Sequence, residues 1–263
     1  MVNILDVSGK VAVVTGAGQN VGRQIAIHLA NYGASVVVND FFAERAEAVA
    51  QEIKDLGGKA VAIQADVTKR ASVNDMVARA TEVLGAPPTI LVNNAGNAGA
   101  EPTESARKPF WETDERDWDS FIRVNFYGVL NCCAAVIPGM IASNDGRIVN
   151  VISDAGRMGE LRMEIYSGAK AGAAGIARGI ARTLARNNIR ANNVAIAAMN
   201  TPAIRARRLS DPERAKKILE KYVVRRLGEP EDVANMVLML CSDASAWVTG
   251  QTIPVNGGYS LAL

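Results

Sequence analysis

The sequence predicts one α/β domain built on a doubly wound, parallel, seven-stranded sheet that is flanked by helices. Short β-branched runs alternate with amphipathic helical segments along all 263 residues, which is the pattern of a parallel sheet covered on both faces. Polar or glycine-rich stretches follow several of the strands, where sheets of this kind bind ligands. No repeat, low-complexity tract or linker divides the chain, so we expect a single domain over residues 1–263.

Composition and charge exclude several classes of function. Apolar residues make up 49% and charged residues 21%, an ordinary globular balance, and the net charge of +2 favours neither a nucleic-acid nor a membrane partner. The N-terminus lacks a secretory pattern and no apolar run reaches ~18 residues, so we expect a cytoplasmic protein. The three cysteines are expected to be reduced and buried, and the single histidine, His28, excludes metal sites that need two. No metal is expected.

The first strand and the turn after it indicate a nucleotide site. The strand runs from Val11 to Thr15, and Gly16 to Gly22 form a glycine-rich turn before a helix that extends to Tyr32. Such a turn brings backbone N–H groups and a helix N-terminus close to a pyrophosphate. Val36 to Asp40 form the second strand, and a carboxylate at its end can bind the adenosine ribose hydroxyls and repel a 2′-phosphate. We therefore expect NAD rather than NADP.

The remaining elements continue the alternation of helices and strands. We predict helices over 43–57, 69–84 and 115–143, from Tyr166 to Asn188 and after Glu229, and strands over Lys59–Gln64, 90–92, 148–152, 191–196 and Thr252–Val255. A long polar loop occupies residues 97–114.

A tyrosine and a lysine four residues apart could form an acid/base pair. On a helix, Tyr166 and Lys170 lie on one face. A free phenol has a pKa near ~10, and a neighbouring cation favours the phenolate. Such a tyrosine could take a proton from an alcohol or return one to a ketone. Ser153, at the end of a strand, would hydrogen-bond the same substrate oxygen. By itself a Tyr-x-x-x-Lys pair is more often a surface or packing feature.

Eight motifs together resemble the classical short-chain dehydrogenase/reductase family, over essentially the whole chain. They are Thr15-Gly16-x-Gly18-x-x-x-Gly22, Asp66, Asn93-Asn94-Ala95-Gly96, Asn125, Ser153, Tyr166-x-x-x-Lys170, Asn200-Thr201-Pro202 and Val255-Asn256-Gly257-Gly258. Each motif is common, but their order and spacing together are specific. The resemblance implies a Rossmann-type fold and an NAD-dependent enzyme that interconverts a secondary alcohol and a ketone.

The resemblance also implies roles for individual residues. The catalytic tetrad would be Asn125, Ser153, Tyr166 and Lys170, in which Tyr166 is the acid/base, Ser153 orients the substrate oxygen, Lys170 lowers the pKa of Tyr166 and Asn125 places a relay water. The expected cofactor contacts are Gly16, Gln19, Asn20, Val21, Gly22, Asp40, Asp66, Val67, Asn94, Ala95, Gly96, Tyr166, Lys170, Met199 and Thr201. Asn20 stands where the family usually has glycine, and Ile196-Ala197 where it usually has Pro-Gly.

The substrate and the assembly follow only from the resemblance. The segment 153–157 is similar to segments in family members that act on cyclic hydroxyacyl-CoA thioesters, so a hydroxyacyl or oxoacyl (CoA) thioester or a cyclic alcohol is expected. A substrate lid is expected at about residues 200–226. Its basic residues between Arg205 and Lys221 could attract an anionic substrate or could form a solvated helix face. A homotetramer is expected through the helices that carry Asn125 and Tyr166. The alternative function is a catalytically silent NAD-binding sensor or scaffold, and a lyase or epimerase is a minor possibility.

Overall fold

The predicted parallel sheet is confirmed. The computed structural model describes residues 3–96, 108–202, 204–205 and 211–261. Its strands are β1 (Val11–Val14), β2 (Ser35–Asp40), β3 (Lys59–Gln64), β4 (Ile90–Asn93), β5 (Gly146–Ser153), β6 (Ile189–Ile196) and β7 (Thr252–Val255). They lie in the order β3-β2-β1-β4-β5-β6-β7, and each pair is parallel. The strand order therefore reverses between β1 and β4, where a doubly wound sheet opens a crevice for ligands.

Helices cover both faces of the sheet. They are α1 (Asn20–Asn31), α2 (Ala43–Asp55), α3 (Arg70–Leu84), α4 (Glu115–Ile122), α5 (Gly128–Ser143), α6 (Ala155–Met158), α7 (Glu164–Leu184), α8 (Pro212–Leu219) and α9 (Pro230–Cys241). Helix α9 begins at the predicted signal, because Glu229 and Asp232 form a capping box around Pro230.

Alternating side chains of strand β1 divide the core in two. Ala12 and Val14 of β1 face the apolar cluster formed with α1, α2 and α9. Val11 and Val13 face the opposite cluster, which contains residues of α3, α5 and α7. Both sets are buried, as expected for a strand whose successive side chains point to opposite, covered faces. The three cysteines are free and buried, as predicted.

Two local features differ from the sequence prediction. The single helix predicted over residues 115–143 is interrupted by a π turn at Arg123–Tyr127, between α4 and α5. The short helix α6 follows β5 directly and was not predicted, because four residues are too few to show a helical period. Strands β5 and β6 also begin two residues earlier than expected.

The continuous helical segment formed by α4, the π turn and α5 is apolar for its length. Residues Glu115–Ser143 satisfy the length and composition of a membrane-crossing helix, with a mean hydropathy of 1.6 over the best window. Core helices satisfy the same criterion, and α5 contributes Cys132, Val136 and Met140 to the core. Ala134 and Ile141 of the same helix are exposed, so part of its apolar surface is left uncovered in the single chain.

Candidate active site

A cleft of about 300 Å³ opens at the carboxyl ends of the strands, at the crevice between β1 and β4. It is lined by the glycine-rich turn, the end of β2, the exit of β4 and the segment after β6. The lining residues are Gly16, Gln19, Asn20, Val21, Gly22, Asp40, Phe42, Arg45, Asn94, Ala95, Gly96, Val124, Met199 and Thr201. Most of the residues expected to contact a cofactor therefore lie together.

The glycine-rich turn is held from the neighbouring strand. Asn94 Nδ2 donates to the carbonyl oxygens of Thr15 and Gly16, both at 3.0 Å. In return, Thr15 Oγ1 accepts from the backbone N–H groups of Asn94 and Ala95, each at 3.1 Å. A Cβ added at Gly22 would lie 2.2 Å from the oxygen of Gly16, so only glycine allows this approach. Asn94 thus shapes the turn, because both hydrogens of its amide are used there.

Asn20 occupies the left-handed conformation that the family pattern normally gives to glycine. Its φ is 50°, and it is the first residue of α1. Asparagine is one of the few non-glycine residues that adopts this region readily. The departure in sequence therefore preserves the backbone path, and Asn20 remains in the lining of the cleft.

Asp40 is fixed by two backbone donors at the end of β2. Its Oδ2 accepts from the N–H of Gly18 at 3.0 Å, and its Oδ1 accepts from the N–H of Phe42 at 3.1 Å. The residue is buried but lines the cleft. The guanidinium of Arg45 lies 4.2 Å from the centroid of the Phe42 ring, in the same part of the cleft.

Lys170, Asn125 and Gly96 meet at the other end of the cleft. A Cβ added at Gly96 would lie 2.9 Å from Lys170 Nζ and 3.0 Å from Asn125 Oδ1. Lys170 is buried and donates to the carbonyl oxygen of Val151 at 3.0 Å. Helix α7, the π turn and the exit of β4 thus bring together three residues that are distant in the chain.

The π turn positions Asn125. Its side chain is fully buried, and Nδ2 donates to the carbonyl oxygen of Phe121 at 2.9 Å. Single π turns within α-helices occur frequently at functional sites, because the extra residue frees backbone groups and redirects side chains. The position of this turn at Asn125 agrees with a role in the site.

The hydroxyl of Ser153 lies close enough to the phenol of Tyr166 to act on its pKa as a hydrogen-bonding neighbour. Ser153 is the last residue of β5, and its Oγ also accepts from the N–H of Ala155 at 3.2 Å. Lys170 Nζ lies 5.8 Å from the centroid of the Tyr166 ring. The predicted convergence of these side chains is therefore present.

The expected direction of the Tyr166 pKa is not observed. Burial raises the pKa of Tyr166 above its ordinary value, the hydrogen bond with Ser153 acts against this, and the carboxylate of Glu160 adds to the rise. Burial lowers the pKa of Lys170 to about 8. The net direction is upward because removal of the phenol from water disfavours its charged form. That Lys170 acts in the opposite direction and lowers the pKa of Tyr166 stays a prediction.

Four other predicted cofactor residues lie as follows. Met199 and Thr201 line the cleft, and Thr201 Oγ1 accepts from the N–H of Ile204 at 3.3 Å. In the described part of the chain, Asp66 and Val67 lie outside the lining. The carboxylate of Asp66 accepts from the backbone and hydroxyl of Thr68.

Sequence reasoning missed three lining residues, Phe42, Arg45 and Val124. Phe42 and Arg45 follow Asp40 at the start of α2, and their position directly after the end of β2 is the signal that places them beside the cleft. Val124 lies one residue before Asn125 within the π turn, which the sequence does not reveal.

Arg207 and Arg208 of the expected lid lie outside the described residues. Among the residues that are described, no group of three or more histidine, cysteine or acidic side chains could hold a metal ion.

The fold and the cleft are those of a Rossmann-type nucleotide-binding protein. Residues 16–260 match the family described as enoyl-(acyl carrier protein) reductase. The chain is 37% identical over 254 residues to the 7alpha-hydroxysteroid dehydrogenase of Escherichia coli (strain K12), covering 97% of this chain and 95% of that protein. It belongs to the short-chain dehydrogenase/reductase family.

Two further relatives extend the comparison. The chain is 37% identical over 260 residues to the hydroxy(phenyl)methylsuccinyl-CoA dehydrogenase subunit BbsD of Thauera aromatica, covering 98% of this chain and 99% of that protein. A solved 7 alpha-hydroxysteroid dehydrogenase in complex with NADH and 7-oxo glycochenodeoxycholic acid superposes with a TM-score of 0.88 at 36% identity, covering 98% of both chains. These matches support an oxidoreductase that acts on CH–OH groups with a nicotinamide cofactor.

Proposed function

We propose that this chain is a cytoplasmic NAD-dependent oxidoreductase that interconverts a secondary alcohol and a ketone. The observation that carries the proposal is the convergence of Tyr166, Lys170 and Asn125 beside the cleft: Lys170 Nζ lies 5.8 Å from the Tyr166 ring, and Gly96 of the cleft lining lies against both Lys170 and Asn125. We include in the proposal a single domain over residues 1–263 with a substrate lid at about residues 200–226.

The cleft fits a dinucleotide. The close approach of Gly22 to Gly16 leaves no room for a Cβ, and the backbone N–H groups at the start of α1 are available to a pyrophosphate. Asp40 can accept hydrogen bonds from the ribose of the adenosine. Asn94, which holds the glycine-rich turn, would lie near the adenosine-side ribose, and Lys170, beside Gly96 at the opposite end, would hold the nicotinamide ribose. A bound nicotinamide supplies or accepts the hydride.

The protein side chains manage the proton. Tyr166 donates it to the oxygen of a ketone during reduction and removes it from the alcohol during oxidation. Ser153 donates to the same substrate oxygen and keeps it within reach of the phenol. The buried ammonium of Lys170 favours the phenolate once the proton has left, and Asn125 places a water that returns protons toward Lys170.

We propose NAD as the cofactor on the basis of Asp40. A carboxylate that is buried and held by the N–H groups of Gly18 and Phe42 cannot move away from a 2′-phosphate. A phosphate there would face a fixed like charge in a region of low dielectric constant.

The proposed substrate is a small hydroxyacyl or oxoacyl thioester or a cyclic alcohol. Two matched relatives act on a steroid alcohol and on a CoA thioester by name. The lid adds basic side chains, and Lys216 and Lys217 of α8 are exposed. Faster turnover of a CoA thioester than of its neutral ester, with an advantage that disappears at high salt, would support an anionic handle on the substrate.

Replacement of the proposed acid/base tests the assignment. We expect Tyr166→Phe to lower kcat by about 10²–10⁴-fold, the usual contribution of a general acid/base, while NADH affinity changes only a few-fold. Tyr32→Phe, at a tyrosine that packs against the core, serves as the control with unchanged turnover. If Tyr166→Phe turns over ketones at the normal rate, the assignment is wrong. NADH binding without turnover of any alcohol or ketone by the unmodified protein would instead support the sensor or scaffold.

A further inference from the structure

A buried carboxylate links the residue after Ser153 to the C-terminal segment. Asp154 is 3% exposed, and its Oδ1 accepts from Arg157 Nη1 at 2.7 Å. Its Oδ2 accepts from Asn256 Nδ2 at 2.6 Å and from Ser260 Oγ at 3.0 Å. Asn256 is 102 residues away in the chain. The network therefore joins the turn after β5 to the segment Asn256–Ser260, which we term the C-terminal tail.

Each member of the network contacts more than one other. Asn256 Nδ2 also donates to the backbone oxygen of Ser260 at 2.9 Å and to its Oγ at 3.0 Å. Arg157 Nη1 donates to Ser260 Oγ at 2.9 Å. The carboxylate, the guanidinium, the amide and the hydroxyl thus form a closed cluster whose geometry is fixed from two sides.

The same turn holds the hydroxyl of Ser153. The N–H of Ala155, the residue after Asp154, donates to Ser153 Oγ at 3.2 Å. The N–H of Arg157 donates to the backbone oxygen of Asp154 at 2.9 Å, and the N–H of Asp154 donates to the oxygen of Ile196 at 3.0 Å. Any shift of the turn therefore moves the donor that orients Ser153.

The C-terminal tail also contacts the segment that follows the lid helix α8. The N–H of Val224 donates to the oxygen of Gly257 at 3.0 Å. The rings of Tyr222 and Tyr259 lie 5.3 Å apart. The tail is therefore held between this segment and the turn after β5.

We propose that Asp154 is a positioning residue for Ser153, because it fastens the C-terminal tail to the turn that orients the Ser153 hydroxyl toward Tyr166. This inference rests on the proposed function of Ser153 and Tyr166. A buried carboxylate–guanidinium pair adds little net stability compared with apolar packing, but its directional bonds fix the geometry of the groups around it. The orientation of a reacting group is sensitive to such shifts, since a misplacement of about 1 Å can cost about 10²-fold in rate.

Two variants loosen the network from opposite sides. Asp154→Asn removes the charge, and Asn256→Ala removes the amide donor without any change of charge. We expect each to lower kcat by about tenfold or more while the dissociation constant for NADH, measured by fluorescence, stays within a few-fold. In a Ser153→Ala background, Asn256→Ala should cause no further loss of kcat, because the group that it positions is absent. If the two substitutions instead lower kcat independently, so that the loss in the double variant is the product of the two single losses, the inference is overturned.

A spectroscopic readout separates positioning from loss of stability. Within the described residues, Glu160 and Lys170 are the charged groups that face Tyr166, and neither is altered in Asn256→Ala. Since the hydrogen bond from Ser153 lowers the pKa of Tyr166, its weakening in this variant should raise the pKa. The phenolate absorbance of each protein, minus that of its Tyr166→Phe counterpart, reports this pKa directly. An unchanged pKa in Asn256→Ala would contradict the inference.

The matched control is Asp145→Asn, at the amino end of the sheet. Asp145 Oδ1 lies 2.8 Å from Nη1 of the buried Arg147, so this variant also removes a carboxylate from an arginine pair. It should lower the unfolding midpoint without changing the NADH-dependent kcat or the pKa of Tyr166. If Asp154→Asn does not fold, Asn256→Ala and Ser260→Ala carry the test. A shift of the Tyr166 pKa in a protein without any turnover would support the positioning role and reject the proposed reaction.

Discussion

The proposed preference for NAD depends on one carboxylate, that of Asp40, and its replacement gives the sharpest test. In Asp40→Asn the side chain keeps one acceptor oxygen and its size but loses its charge. The ratio of kcat/KM with NADH to that with NADPH should therefore fall. The value of kcat/KM with NADH alone should fall by a smaller factor than this ratio, since one of the two N–H donors of Gly18 and Phe42 keeps its partner.

The size of the effect follows from Coulomb's law. Two unit charges about 5 Å apart repel by about 3 kcal/mol at an effective dielectric constant of about 20. Each factor of ten in the kcat/KM ratio corresponds to about 1.4 kcal/mol. The unmodified protein should thus prefer NADH by about a hundredfold or more, and Asp40→Asn should narrow this preference at least about tenfold. In Asp40→Asn, Arg45, which lines the same part of the cleft, should attract the 2′-phosphate of NADPH.

Initial rates of reduction of one ketone with each cofactor, at fixed salt, measure the ratio. Glu44→Gln removes a neighbouring exposed carboxylate of α2 and should leave the ratio unchanged. Adding Arg45→Ala to Asp40→Asn should lower kcat/KM for NADPH alone. Equal use of both cofactors by the unmodified protein, or an unchanged ratio in Asp40→Asn, would refute the reasoning.

Three further predictions concern pH, backbone strain and assembly. Because the pKa of Tyr166 is raised, the rate of alcohol oxidation should rise about tenfold per pH unit up to about pH 8, where Lys170 begins to lose its proton, and a flat pH profile would contradict this. At fixed pH, Glu160→Gln should raise the same rate. Because Asn20 has a positive φ, urea unfolding should show Asn20→Ala about 1 kcal/mol less stable than the unmodified protein and Asn20→Gly at least as stable. Unchanged stability of the alanine variant would argue against backbone strain at residue 20. Light scattering at micromolar concentration should show a tetramer that Ala134→Glu, on the exposed side of α5, dissociates; an unmodified protein that is already monomeric would exclude it.

The fold could be predicted because its signals are local. Strand β3 and strand β7 lie at the predicted residues, and the helix ends at Glu115 and Ser143 are also correct. Buried parallel strands show as short β-branched runs, and capping residues mark the starts of α4 and α9. The π turn at Arg123–Tyr127 gives no such signal, since it differs from an α-helix by one residue of phase.

The site was predicted less completely than the fold. Motif spacing placed Gly16 and Asp40 at one edge of the sheet, and the family resemblance added Thr201; the structure has all three in one cleft. Spacing could not give the balance between burial and charge at Tyr166, because hydration depends on packing from several elements. It also could not reveal the bond between Asp154 and Asn256, whose partners are brought together only by the order of the strands.

The π turn has a consequence for comparing members of the family. One residue rotates an α-helix by about 100°, so a protein that lacked a residue between Arg123 and Tyr127 would present α4 and α5 in a different relative phase. The side chain aligned with Asn125 would then leave the neighbourhood of Gly96 and Lys170, even where the amino acid was the same. A one-residue gap in this stretch therefore signals a rebuilt active site, although it resembles a harmless length change in a helix.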